Sequence, residues 1–231
     1  WTAQQPLRFY DGSDWPFVSL MEPYKGYAVH VDIPMTITVP PVEATGNQIL
    51  QKSKSQPGNT EWNFQIIASS GRLKDQFNYA GVKTGATDEI DIYDAPEPPP
   101  IGNYISLNFQ SVSTGIPFST DYRKPGADGY RFNFALKSNL PEEATISINP
   151  DGLPVEFDWT VVSPQTGINY GKETIHTTRP ASIFELMVGQ PDFLNQVTTG
   201  YRSAPTTFSL QQNYPNPFNP ETLIMFQIPE N

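Results

Sequence analysis

Apolar and polar residues alternate with period two through much of the chain, and that alternation predicts short, half-buried strands rather than helices. In Tyr130-Arg131-Phe132-Asn133-Phe134-Ala135-Leu136, the residues Tyr130, Phe132, Phe134 and Leu136 share one face, with Arg131 and Asn133 on the other. A helix would scatter those aromatic rings around its circumference. Val155-Glu156-Phe157-Asp158-Trp159-Thr160-Val161 follows the same rule, as do Trp62, Phe64 and Ile66 in one segment and Ile105, Leu107 and Phe109 in another.

Turn chemistry separates these runs: Pro125-Gly126-Ala127-Asp128-Gly129 precedes the Tyr130 strand, and Asn149-Pro150-Asp151-Gly152 follows a run from Thr145 to Ile148. Ala181 to Val188 reads as a strand with a helical alternative after Pro180, and Pro191 to Val197 suits a single helical turn. The expected fold is all-β, an antiparallel β-sandwich of immunoglobulin-like or jelly-roll-like type with flanking β segments. Residues 1–45, with strand candidates at 15–18, 27–31 and 35–39, read as the end of a preceding β-rich domain. Residues 46–205 carry the main sandwich, and residues 206–231 hold a linker and the start of a further unit.

Composition narrows the partners. With 24 Asp and Glu against 14 Lys and Arg, the net charge of −10 repels phosphate backbones, so nucleic acid is not an expected partner. The absence of cysteine excludes disulfides, thiol nucleophiles and thiolate metal sites. No apolar stretch approaches the roughly 20 residues that span a bilayer as a helix. The start at Trp1 without a signal segment and the stop at Asn231 after a strand-like run both suggest a portion of a longer precursor.

The last stretch changes the picture. It reads Phe208-Ser209-Leu210-Gln211-Gln212-Asn213-Tyr214-Pro215-Asn216-Pro217-Phe218-Asn219-Pro220-Glu221-Thr222-Leu223-Ile224-Met225-Phe226-Gln227-Ile228-Pro229. Pro215, Pro217 and Pro220 exclude helix and predict a stiff, extended lead-in, after which Ile224, Phe226 and Ile228 share one strand face. The segment resembles the start of the type A sorting domain of type IX secretion substrates. That family carries an Asn-Tyr-Pro-Asn-Pro-Phe-Asn-Pro signature and then a strand of the form Thr-x-Ile-x-Phe-x-Ile/Leu-Pro. Asn213, Tyr214, Pro215, Asn216, Pro217, Phe218, Asn219 and Pro220 match the signature, and Thr222, Ile224, Phe226, Ile228 and Pro229 match the strand.

The resemblance covers about the last tenth of the chain. It implies export through the type IX translocon of Bacteroidota and related phyla, trimming by a surface sortase, and a place outside a Gram-negative cell or on its outer surface. Upstream, Glu22-Pro23-Tyr24-Lys25-Gly26-Tyr27-Ala28-Val29 and residues 75–99, with Asn78, Gly81, Ala86, Asp91 and Asp94, look like uncharacterised β-modules of such exported proteins.

Little in the chain points to catalysis. HExxH, GxSxG, Walker and GxGxxG motifs are all missing, and the two histidines, His30 and His176, stand in no recognisable constellation. The acidic run from Thr87 to Glu97 offers Asp88, Asp91 and Asp94 as calcium ligands, although EF-hand spacing is not met; no other cofactor is expected. Trp1, Trp15, Trp62 and Trp159 are candidates for a sugar-stacking platform, with Trp62 and Trp159 also placed on expected core faces. The expected role is therefore a non-catalytic extracellular structural or accessory β-module. The alternatives are a carbohydrate-binding module and part of a secreted hydrolase whose catalytic domain lies upstream. An unpaired strand edge at residues 222–228 further suggests self-association or pairing with another fragment of the precursor.

Overall fold

The computed structural model describes residues 7–18, 21–22, 25–29, 60–110, 115–204, 209–217 and 220–227, and within them the chain is all-β apart from one short helix. Strands β1 (Leu7–Phe9), β2 (Phe17–Val18) and β3 (Tyr27–Ala28) form a small sheet in the order β2-β1-β3. Two larger sheets follow, built from β4 (Thr60–Ser70), β5 (Leu73–Lys83), β6 (Ile105–Gln110), β7 (Pro117–Phe118), β8 (Thr120–Arg123), β9 (Gly129–Ser138), β10 (Ala144–Asp151), β11 (Asp158–Ser163), β12 (Ile168–Gly171), β13 (Ile175–Thr177), β14 (Ala181–Gly189) and β15 (Arg202–Ser203). The helix α1 (Pro191–Val197) lies between the last two. One sheet has the order β13-β10-β4-β5-β8 and the other β15-β12-β11-β14-β9-β6-β7. Strands β16 (Ser209–Leu210) and β17 (Phe226–Gln227) make a separate pair.

The alternation explains the packing. Trp62, Phe64 and Ile66 from β4 face Phe132, Phe134 and Leu136 from β9, all of them buried between the two sheets. Aromatic rings meet edge-on across the gap: Trp62 and Tyr130 have centroids 5.3 Å apart at 75°, and Phe64 and Trp159 lie 5.4 Å apart at 70°. That geometry sets the positive edge of one ring against the negative face of the next. The expected sandwich is thus present, and its ladders are antiparallel except for the short parallel pairs β5–β8 and β12–β15.

Some boundaries differ from the expectation. The strand predicted from Val155 begins at Asp158, because Phe157 N–H closes a turn on Pro154 O at 3.0 Å and leaves Val155 fully exposed. Pro150 lies inside β10 opposite Phe64, not in the following turn. Strand β13 stops pairing at Ile146, so Pro150 has one neighbouring strand and its missing N–H is tolerated. Residues 181–189 form a strand, and residues 191–197 form the single short helix with proline in its first turn. The strand candidate at 35–39 falls outside the described residues.

One irregularity shapes the polar chemistry. Ile66 faces Asn78 while Ala68 faces Asp75, so β5 carries one residue more than β4 between those pairs. Such a bulge reverses the alternation. Asp75 and Asn78, three positions apart, consequently both point into the interior. At the opposite end of the sandwich Gly129 and Gly189 pair across β9 and β14 under the ring of Phe193 from α1. A Cβ on Gly189 would sit 2.6 Å from Asp128 O and from Gly129 Cα.

Phe132→Ala is expected to cost about 3–5 kcal/mol, the usual penalty for emptying a buried aromatic site, read as a fall in the urea midpoint at unchanged slope. Gly189→Ala should also destabilise the chain, by forcing the Phe193 end apart.

Candidate functional site

The acidic run folds as an ordered loop stapled to β7 and β8. Asp91 turns the loop by accepting Thr87 N–H at Oδ2 (2.7 Å) and Tyr93 N–H at Oδ1 (2.8 Å). Asp94 accepts Asp91 N–H at Oδ2 and Tyr122 N–H at Oδ1, both at 3.0 Å, tying the loop to β8. Thr120 Oγ1 accepts Ala95 N–H (2.6 Å) and donates to Tyr93 O (2.8 Å). Arg123 Nη1 donates to Asp88 O at 2.7 Å, while Asp88 Oδ2 pairs with Lys124 Nζ at 2.7 Å. The three expected calcium ligands, Asp88, Asp91 and Asp94, therefore serve backbone amides and a lysine. Among the described residues no group of three or more His, Asp or Glu side chains is arranged to hold a metal ion.

Between this loop and the sandwich edge lies a cleft of about 270 Å³ lined by Ile90, Phe109, Phe118, Asp94, Asp121 and Arg123 among others. Burial raises the Asp94 carboxyl to about 6, despite its two backbone donors. Burial also raises that of Asp121, against the opposing pull of Arg123, whose Nη2 donates to Asp121 Oδ2 at 2.8 Å. The lining sets Asp88, Glu89, Asp94 and Asp121 against Arg123, a balance that favours cations over anions, and the described lining pairs no nucleophile with a base.

A second polar cluster is more deeply buried, and the sequence pattern did not suggest it. Asp75 sits between the sheets with Oδ2 accepting Leu107 N–H (2.6 Å) and Oδ1 accepting Asn78 Nδ2 (2.6 Å). Strand β7 pairs only with Phe109 and Gln110, so Leu107 has no strand beside it on that flank and Asp75 supplies the acceptor. Arg8 enters from β1, donates to Ser119 Oγ and to Trp15 O (3.4 Å), and lies 4.0 Å from the centroid of the Phe17 ring. Asp14, at the turn after β1, accepts Gln76 N–H at 3.0 Å and Trp15 N–H at 2.7 Å. Glu97 completes the group, its N–H donating to Pro117 O at 2.9 Å.

Desolvation dominates the protonation of this cluster. It raises the Asp75 carboxyl to about 7, raises Glu97 well above the ordinary range with help from the Asp75 charge, and raises Asp14. The same burial lowers Arg8, against the pull of Glu97, Asp75 and Asp14. Alternation along β5 carries no mark of this cluster, because Asp75 and Asn78 face the same way only through the bulge.

The other candidates are dispersed. His176 lies on the edge strand β13 with Nδ1 3.1 Å from Glu143. Trp62 and Trp159 are buried in the core, and Trp15 is half-buried against Tyr10 with centroids 5.0 Å apart, so the described tryptophans form no open stacking platform. Trp1, His30, Phe218, Asn219, Ile228 and Pro229 lie outside the described residues.

The C-terminal motif folds back on itself where a straight lead-in was expected. Tyr214 and Leu223 exchange N–H···O bonds of 2.9 Å in both directions, and Leu210 pairs with Phe226. Asn213 Nδ2 donates to Thr222 Oγ1 (3.2 Å), which donates to Pro215 O (3.1 Å), so two motif side chains hold the reversal that proline cannot hold through N–H groups. Asn216 stands between Pro215 and Pro217, and all three are exposed, as is Pro220.

Asp94→Ala should leave the Tyr122 and Asp91 N–H groups without their acceptor and cost about 1–3 kcal/mol in urea unfolding, with faster proteolytic cutting inside residues 84–104. Comparison with protein-family models, with curated proteins and with solved structures finds no match, so the chemistry of these sites has to be read from their own residues.

Proposed function

We propose that this chain is a non-catalytic β-module of an exported protein, placed outside a Gram-negative cell or on its outer surface. Residues 206–231 begin the sorting domain that a type IX translocon and a surface sortase would handle. The observation that carries this reading is the form of the C-terminal motif. Asn213 and Thr222 commit their side chains to the reversal, while Tyr214, Leu223, Ile224, Met225 and Phe226 all stay exposed. A run of apolar residues on a paired hairpin fits the first strands of a packed unit rather than the interior of a linker.

The sandwich supports the non-catalytic part of the reading. Trp62, Phe64, Phe132, Phe134, Trp159 and Phe184 are committed to packing, and the carboxylates of Asp91 and Asp94 to backbone amides. Its contribution is then a rigid body carried by the exported protein.

Expression of the full precursor in a type IX-competent bacterium tests the proposal. The unaltered protein should reach the cell surface or the medium, and a Tyr214→Ala/Pro217→Ala variant should accumulate in the periplasm, as the unaltered protein should in a translocon-deficient strain. Equal export of a variant lacking residues 206–231 would sink it.

A further inference from the structure

Charged groups lie where the N-terminal sheet meets the sandwich, beside the aromatic and apolar residues Tyr10, Trp15, Tyr104 and Ile105. Arg8 reaches Ser119 from β1, and Asp14 caps Gln76 N–H on β5, while Asp75 and Glu97 wait on the sandwich side. A gap of about 20 Å³, room for a single water, lies between Tyr10, Ser13, Asp14 and Trp15 on one side and Asp75 and Glu97 on the other. Full ionisation there would set three carboxylates against one guanidinium, with Asp14 and Asp75, like Arg8, less than a tenth exposed and Glu97 half-buried beside them. Uncompensated buried charge is among the costliest arrangements a fold can hold.

We propose that the sheet β2-β1-β3 is a pH-governed cover, which proton uptake by the Asp14, Asp75 and Glu97 carboxylates seats on the sandwich and which their ionisation loosens. The charged groups facing Asp75 are Arg8 from β1, Asp14 from the turn after it and Glu97 from the loop before β6, with Asp11 adding its charge to Asp14. Their neutral partners are Asn78 and the Leu107 N–H.

The sign follows from linkage. A carboxyl whose affinity for protons is higher in the seated state favours that state as pH falls, and the advantage disappears as pH rises through its seated value, about 7 for Asp75. A simple arginine–carboxylate latch would do the reverse and weaken in acid, so the direction of the pH effect separates the two.

Hydrogen–deuterium exchange of the full chain at about pH 5.5 and about pH 8, corrected for intrinsic exchange, reads the cover directly. The amides of Phe9 and Tyr10, which bond Pro16 O and Gly26 O, should exchange of the order of tenfold faster at the higher pH, while those of Phe132 and Leu186 in the sandwich hold constant. Asp75→Asn, which fixes the uncharged form, should keep the cover protected at both values. If that variant also loses protection in the sandwich, Glu97→Gln takes its place with the same expectation of a reduced pH effect. An unchanged cover, a cover that loosens in acid, or a full pH response in the variant that folds would each overturn the proposal.

Discussion

A two-sheet sandwich has to satisfy the backbone along the flanks where its strands run out of neighbours. Here the demand is sharpest beside β6, because β7 is too short to pair with Leu107. Asp75 meets it from the opposite sheet, reaching across the interior to take the Leu107 N–H. The acceptor solves one problem and sets another, since a carboxyl taken out of water needs donors or a proton. Asn78, Arg8 and the approach of the N-terminal sheet all follow from that need.

The same flank is where the two sheets become one chain. Phe118 belongs to the seven-stranded sheet and Thr120 to the five-stranded sheet, so the backbone changes sheets at Ser119. Ser119 is fully buried there, with its N–H and Oγ both directed to Ala95 O and its own carbonyl taking Tyr79 N–H. The acidic loop lies along this crossover as an irregular extra strand, with Pro96 bridged to Phe118. Asp91 and Asp94 accept backbone N–H groups there, because each turn of a loop without regular pairing still has such donors to satisfy.

How much of this was legible in the sequence depended on periodicity. The run from Tyr130 to Leu136 was readable because Tyr130, Phe132 and Phe134 pack while Arg131 and Asn133 are exposed, whereas residues 181–189 kept a helical alternative because positions 184–189 are buried on both faces and carry no alternation. Asp75 with Asn78 was not, since a bulge has no residue signature of its own and a period-two reading assigns them to opposite faces. Arg8 lies on a strand that the sequence reading did not include, and its guanidinium is covered by Phe17. Asp91 and Asp94 illustrate a different limit: calcium and backbone amides both call for carboxylate oxygens, so composition alone does not separate the two. The parallel pairing of β12 with β15 joins residues too far apart in sequence for any local pattern to reveal.

That last ladder also gives the chain a mechanical property. Arg202 N–H bonds Gly167 O at 2.9 Å and Ala204 N–H bonds Asn169 O at 2.8 Å, so the route from the sandwich to β16 passes through a strand laid alongside β12. Tension applied beyond Ala204 and directed along that strand loads these bonds together in shear, whereas a tension perpendicular to it would open them one after another. A pull on the chain beyond Ala204 would therefore meet a joint whose strength depends on the direction of that pull.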